Sequence, residues 1–225
     1  MARWGLVIDL DRCTACQACV VACKHENNVP FSTPAESNLG RLMTWIQLVP
    51  VETNNRGGAT AMPLMCQQCD RPPCADVCTV SATYLDTEGI VAQIYARCIG
   101  CRYCTNACPY AVKVFNWTTP VWPEPMTALR NPDVSVRPKG VVEKCTFCHH
   151  RLMRAREQAR AEGRNVSSED YVPACVQTCP AEAMVFGDLD NPNTEVSALV
   201  DSPRAFRWME ELGTRPKVIY LREGE

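Results

Sequence analysis

The 225-residue chain has no long hydrophobic run. Gly5-Leu6-Val7-Ile8 is cut by Asp9, and Cys19-Val20-Val21-Ala22-Cys23 by Lys24, whereas a bilayer-spanning helix needs about 20 mostly apolar residues. The N-terminus also lacks an export pattern: Arg3 stands without a second arginine, and the apolar run after it is short. The chain is therefore expected to be soluble by itself or carried to its place by a partner. No charge of one sign dominates, since 25 acidic residues oppose 23 basic ones and leave −2. That balance excludes a strongly basic nucleic-acid-binding surface, so no nucleic-acid partner is expected. Aromatic residues are few, at 7%, and 17 prolines interrupt the chain. A core of aromatic and aliphatic packing alone is thin for this length, so something else must help to hold it.

What the chain has instead is 16 cysteines, and they fall into four groups of four. Group one is Cys13, Cys16, Cys19 and Cys23, spaced C-x2-C-x2-C-x3-C. Group two is Cys66, Cys69, Cys74 and Cys78, spaced C-x2-C-x4-C-x3-C. Group three, Cys98, Cys101, Cys104 and Cys108, repeats the first spacing and ends in Pro109. Group four opens with Cys145 and Cys148, breaks for 26 residues, and closes with Cys175 and Cys179 before Pro180.

Three chemistries compete for these thiols. Disulfides belong to oxidising compartments and small secreted chains, and give no reason for a repeated spacing. Structural zinc uses C-x2-C knuckles, but pairs two of them or adds histidines. Three cysteines at i, i+3 and i+6 with a fourth at i+10 are the spacing of bacterial ferredoxins, in which three thiolates hold one cube and the fourth reaches a neighbouring cluster. Four per cluster gives four [4Fe–4S] clusters, and soft sulfur ligands suit them. No group presents an obviously open iron, so no catalytic residue is assigned and the chemistry left is one-electron transfer.

The expected fold class is α+β, with two ferredoxin-like domains of two clusters each. Residues 81–85 and 90–94 read as a hairpin around Asp86-Thr87-Glu88-Gly89. Residues 4–10, 43–49, 183–186 and 218–221 read as strands. Residues 18–24, 75–78 and 105–108 read as single helical turns carrying the fourth cysteine. The segment 116–140, with Pro120, Pro123, Pro125, Pro132 and Pro138, reads as an extended crossing. Residues 151–163 read as a solvated surface helix ended by Gly163, with partner docking as the functional alternative. Residues 53–60 read as an exposed loop. Arg12, Lys24, Arg97, Arg102, Lys144 and Arg151 flank cysteines, where they raise cluster potentials or serve solubility. His149 and His150 follow Cys148, for packing or for proton chemistry near a partner. Trp117 and Trp122 read as packing.

Four groups in this order resemble the four-cluster iron–sulfur subunits of the molybdopterin oxidoreductase superfamily. The resemblance runs from Leu6 to about Asp188. It is carried by Asp9-Leu10-Asp11-Arg12-Cys13, Cys66-Gln67-Gln68-Cys69-Asp70-Arg71-Pro72-Pro73-Cys74, Arg97-Cys98-Ile99-Gly100-Cys101-Arg102-Tyr103-Cys104 and Glu143-Lys144-Cys145-Thr146-Phe147-Cys148. Arg3-Trp4-Gly5, Glu26-Asn27-Asn28-Val29-Pro30 and Met43-Thr44-Trp45-Ile46 look like the branch of alternative complex III and the quinone reductase complex of sulfate reducers. Groups one and two depart from the pattern, with Lys24 and Thr79 where a proline is usual. Cys101 is present where some relatives lack it and hold a [3Fe–4S] cluster.

The resemblance implies an electron-transfer subunit of a membrane-associated oxidoreductase; the alternative is a free soluble polyferredoxin. It implies that Cys13, Cys16, Cys19 and Cys179 hold one cluster, and Cys66, Cys69, Cys74 and Cys108 a second. Cys98, Cys101, Cys104 and Cys78 hold the third, and Cys145, Cys148, Cys175 and Cys23 the fourth. Residues 1–60 with 140–190 then form one ferredoxin-like domain, 61–139 an inserted one, and 191–225 a C-terminal tail for partner docking. Implied partners are a large molybdopterin-type subunit facing the group-one cluster and a multi-span quinone-binding membrane subunit facing the group-four cluster. A multihaem cytochrome c is a further partner. The implied location is peripheral on the inner membrane, on the periplasmic side, with the cytoplasmic side as the alternative.

Overall fold

The computed structural model describes residues 2–52, 59–167 and 169–224. Strand β1 (Trp4–Asp9) leads through the first cysteine loop into helix α1 (Ala18–Glu26). Helix α2 (Pro34–Asn38), closed by a Thr33–Glu36 capping box, precedes the antiparallel strands β2 (Ile46–Glu52) and β3 (Ala59–Met65). Helix α3 (Pro73–Asp76) lies in the second cysteine group and is followed by the hairpin β4 (Thr83–Leu85) and β5 (Val91–Gln93). Helix α4 (Tyr103–Asn106) lies in the third group and leads to β6 (Val114–Phe115), which pairs with β7 (Val142–Glu143) across the proline-rich crossing. Then follow α5 (His149–Ala161), α6 (Ala174–Gln177), β8 (Met184–Asp188), α7 (Glu195–Val200), β9 (Ala205–Phe206) and β10 (Val218–Leu221).

The central sheet runs β8-β1-β10-β9, with β1 parallel to β10 and antiparallel to β8. Successive side chains of a strand point to opposite faces. Leu6 and Ile8 of β1, with Val218 and Tyr220 of β10, enter the main core beside cysteines; Val7, Ile219 and Leu221 face a second core with Val196 of α7. A sheet covered on both faces is why these strands read as continuous apolar runs. Each such fully buried aliphatic side chain contributes about 1.5–3 kcal/mol. The scarce aromatics are concentrated: Trp4 stacks on Phe186 at 5.6 Å, and Tyr171 meets both edge-on at 5.1 Å. Residues 218–221 are therefore core, and the segment after residue 190 closes the sheet.

The predicted strand 43–49 lies at Ile46–Glu52. Its partner β3 had no expectation, because Pro63 interrupts its apolar run; a two-stranded ladder with open edges accommodates it. The expected loop 53–60 falls largely outside the described residues, and Ala59 and Thr60 belong to β3. The predicted turns of helix are real but shifted. In α3, α4 and α6 the helix carries the third cysteine of its group and stops before the fourth. The helix predicted at 151–163 is α5, half-buried through Leu152, Ala155 and Ala159 and followed by Gly163 at φ +70°.

Candidate iron–sulfur centres

The repeat seen in the spacing is also a repeat of backbone conformation. Ala15 and Gln17 in loop one have φ of 55° and 64°; Gly100 and Arg102, at the same offsets in loop three, have 70° and 60°. Non-glycine residues rarely adopt this left-handed region, and such strain gathers at functional sites. A second left-handed residue stands three after the last cysteine of groups two, three and four. Ser81, Ala111 and Glu182 have φ of 49°, 52° and 48°, and return their amides to the carbonyls of Cys78, Cys108 and Cys179 at 3.0, 3.3 and 3.2 Å. Group two keeps this turn despite Thr79 in place of proline. Group one does not: α1 continues past Cys23 and Lys24, the Asn27 amide bonds the Cys23 carbonyl at 3.1 Å, and the left-handed residue is Asn28. A proline after Cys23 would have opposed that continuation.

These loops bring the thiols together. Cys13 and Cys19 each lie within electrostatic reach of Cys16 and Cys179, and Cys23, Cys145, Cys148 and Cys175 lie within reach of one another. Cys66, Cys69, Cys74 and Cys108 surround a hollow closed by Pro72, Pro73, Pro109, Tyr110 and Val112. Cys104 shares a small buried cluster with Cys74, Val91 and Val142, with Cys98 against it; α3, which precedes Cys78, packs on α4. Cys101 is exposed, as is Cys16.

Burial pushes the thiol of Cys19 up to about 11 and those of Cys69 and Cys145 up to about 12, with neighbouring cysteines adding to the effect. Cys23 and Cys175 are likewise pushed well above the ordinary thiol value, by burial first and by neighbouring cysteines second. A buried thiolate needs a compensating positive charge, and iron supplies it while displacing the protons. Donors are already aimed at the sulfurs. Burial raises Cys78, but the amides of Thr83, Ala82 and Val80 outweigh it and hold this thiol below its ordinary value. Phe147 gives its amide to Cys145 at 3.4 Å and Val142 gives its own to Cys98 at 3.5 Å. The donor set, the hollow and these amides fit a sulfur-ligated cluster.

The flanking basic residues divide. Lys144 is fully buried; Arg151 is bound to Glu26 at 2.5 Å; Arg102 lies 4.6 Å over the Trp117 ring; Arg12 and Arg97 are exposed. Lys24 donates to the carbonyls of Pro30, at 3.1 Å, and Met43. His149 pairs with Asp86 at 3.1 Å and His150 with Glu26 at 2.7 Å, which is packing chemistry. Three residues beside the thiols stand outside the expected set: Asn27, whose side-chain amide lies 3.7 Å from the Cys23 and Cys148 sulfurs, Lys113, which lines the hollow, and Thr214, whose side chain hydrogen-bonds Cys69. Asn27 alone carried a signal, as part of the family-like run 26–30; Lys113 and Thr214 reach the thiols only through tertiary structure.

Residues 59–126 match the family described as a 4Fe-4S dicluster domain, and residues 4–25 a 4Fe-4S binding domain. The chain is 50% identical to the menaquinone reductase, iron-sulfur cluster-binding subunit, of Nitratidesulfovibrio vulgaris, over 99% of this chain and 90% of that protein. It is 40% identical to the iron-sulfur subunit of a putative dimethyl sulfoxide reductase of Halobacterium salinarum, over 98% and 79%. It is 32% identical to one of the chains of the polysulfide reductase of Wolinella succinogenes, over 97% and 94%. This chain is thus a member of the iron–sulfur subunits of the molybdopterin oxidoreductases and belongs to that family. It is an electron-transfer subunit, and its 16 cysteines fit four [4Fe–4S] clusters.

Proposed function

We propose that this chain is the electron relay of a peripheral, quinone-linked reductase complex on the periplasmic side of the membrane. The ligand sets of this reading are Cys13, Cys16, Cys19 and Cys179 as set one; Cys66, Cys69, Cys74 and Cys108 as set two; Cys98, Cys101, Cys104 and Cys78 as set three; Cys145, Cys148, Cys175 and Cys23 as set four. Sets one and four define one ferredoxin-like domain and sets two and three the inserted one. Bound there, each cube supplies one-electron storage with little change of shape. The protein's part is to hold the sulfurs, exclude water and fix the order of the sites.

The observation that carries this reading is that order. Cys175 of set four lies in electrostatic reach of Cys19 of set one, and Cys145 of set four in reach of Cys66 of set two. Set two shares its buried surroundings with set three through Cys74 and Cys104. The sequence is one, four, two, three, and its terminal sets hold the exposed cysteines, Cys16 and Cys101. All four cysteines of set four are buried, which favours an end of the relay at the membrane partner in place of the set-four facing that the resemblance implies. Set one faces the large molybdopterin-type subunit, or a cytochrome in its place, and set three faces the quinone-binding membrane subunit.

The chain purified from membranes should bring both subunits with it. In that complex Cys101→Ser should slow quinol-driven reduction of the remaining clusters at least about tenfold, while Cys16→Ser leaves it intact. The opposite pattern would reverse the orientation.

A further inference from the structure

Buried cations here are of two kinds. Arg137 meets Glu143 at 2.8 Å, and Lys217 meets Asp70 at 2.9 Å. Lys144 and Lys113, 0% and 8% exposed, meet no carboxylate among the described residues. The Lys144 ammonium donates to the carbonyls of Val91 and Cys145, the latter at 3.0 Å; Lys113 donates to the Thr83 hydroxyl at 3.2 Å. A buried charge held by dipoles alone is costly, and one facing an opposite charge is not.

What faces both lysines is sulfur. Lys113 lines the set-two hollow beside Cys74 and Cys108, and Thr83, its hydrogen-bond partner, gives its own amide to Cys78 of set three at 3.4 Å. Lys144 adjoins Cys145 of set four, and Val91, whose carbonyl it holds, lines the set-two hollow. Cys74 lies within electrostatic reach of both lysines.

We propose that Lys144 and Lys113 are fixed countercharges at the two inner junctions of the relay, Lys144 between sets four and two and Lys113 between sets two and three. The proposal rests on the ligand sets given above. Accepting one electron adds one negative charge to a four-thiolate site and makes or breaks no bond. A cation in the low-dielectric interior favours that more negative state and so raises the site's reduction potential. Set two lies against both lysines, whereas the charges acting on Cys13 and Cys19 of set one include neither, so the two cations shape a profile along the relay and do more than neutralise the whole protein.

The test is a redox titration of the intact, anaerobically purified complex, read by low-temperature paramagnetic resonance, with signals assigned through Cys16→Ser and Cys101→Ser. Lys144→Met should lower the midpoints of sets two and four, and Lys113→Met those of sets two and three. The double variant should lower set two further than either single change, and set one should stay in place throughout. Unchanged midpoints, or a set-one shift as large as the others, would overturn the proposal. If a methionine variant fails to assemble, Gln and Arg replacements decide: wild-type midpoints with Arg and lowered ones with Gln support it, and equal behaviour overturns it. Iron content of the wild type is read separately: fewer than four clusters there would defeat the ligand sets and the lysine placement with them, whereas four clusters with unchanged midpoints would defeat the lysine placement alone.

Discussion

The side-chain amide of Asn27 reaches the sulfur of Cys148 at 3.7 Å across 121 residues of sequence. The same nitrogen lies 3.7 Å from the Cys23 sulfur and 3.1 Å from the Cys23 carbonyl. Hydrogen bonds to ligand sulfur favour the reduced cluster. Asn27→Leu should therefore lower the midpoint of set four and leave sets two and three in place. Redox titration of the variant measures it, and an unchanged set-four midpoint would refute the role.

Gly100 occupies a φ of +70°, and a Cβ there would lie 2.2 Å from the Gly140 carbonyl oxygen. That contact is with backbone, so it cannot be relieved by turning a side chain. Gly100→Ala should cost several kcal/mol, on the order of the larger backbone and overpacking penalties, and should selectively deplete set three. The matched position in loop one already holds Ala15 at φ 55°, so Ala15→Gly should be neutral or stabilise by about 1 kcal/mol. Iron content and thermal unfolding of both variants check this.

Arg137 and Glu143 form a buried pair, 1% and 0% exposed, and Glu143 also accepts from the Trp45 ring nitrogen at 3.2 Å and from Asn116. Arg137 further donates to the carbonyls of Asn27 and Asn28, at 2.5 and 3.0 Å. The pair thus pins the proline-rich crossing to the end of α1. Glu143→Gln leaves a buried cation without its anion and should destabilise by about 3–5 kcal/mol, seen as a lowered unfolding temperature. A loss under about 1 kcal/mol would show that the pair is dispensable.

Glu26 is held down to about 2 by the Arg151 guanidinium first and by His150 second, against the cost of its burial. A depressed carboxyl contributes stability that is complete above its unfolded value, near 4.5, and is lost as pH falls from there towards 2. Wild type should exceed Glu26→Gln in denaturation midpoint by a constant margin between about pH 6 and 8, and the margin should narrow below about pH 4.5. A margin that instead changes between about pH 6 and 8 would contradict this assignment.

The sequence made the four cysteine groups legible because ligand spacing is local: three cysteines of a loop lie within one or two turns of chain, whereas the distant fourth thiol of each proposed set came only from the family resemblance. It also showed β1 and β10, whose burial on both faces leaves continuous apolar runs. The order proposed for the sets was not legible, since Cys175 comes within electrostatic reach of Cys19, and Cys145 of Cys66, only after the chain has crossed itself. Lys113 escaped for the same reason. Strand β3 was hidden by Pro63, and the extension of α1 by its departure from the turn that follows the last cysteine in the other three groups. The absence of proline after Cys23 was visible, and its consequence is the helical continuation that places Asn27 beside two sulfurs.

Whether these cysteines hold four cubes is measured most directly by metal and acid-labile sulfide per chain in the anaerobically purified complex, with paramagnetic resonance of the reduced protein. Four cubes give about 16 iron and about 16 sulfide, from four atoms of each per cube, and four reducible centres. Stoichiometric zinc, or half that iron with all cysteines intact, would contradict it.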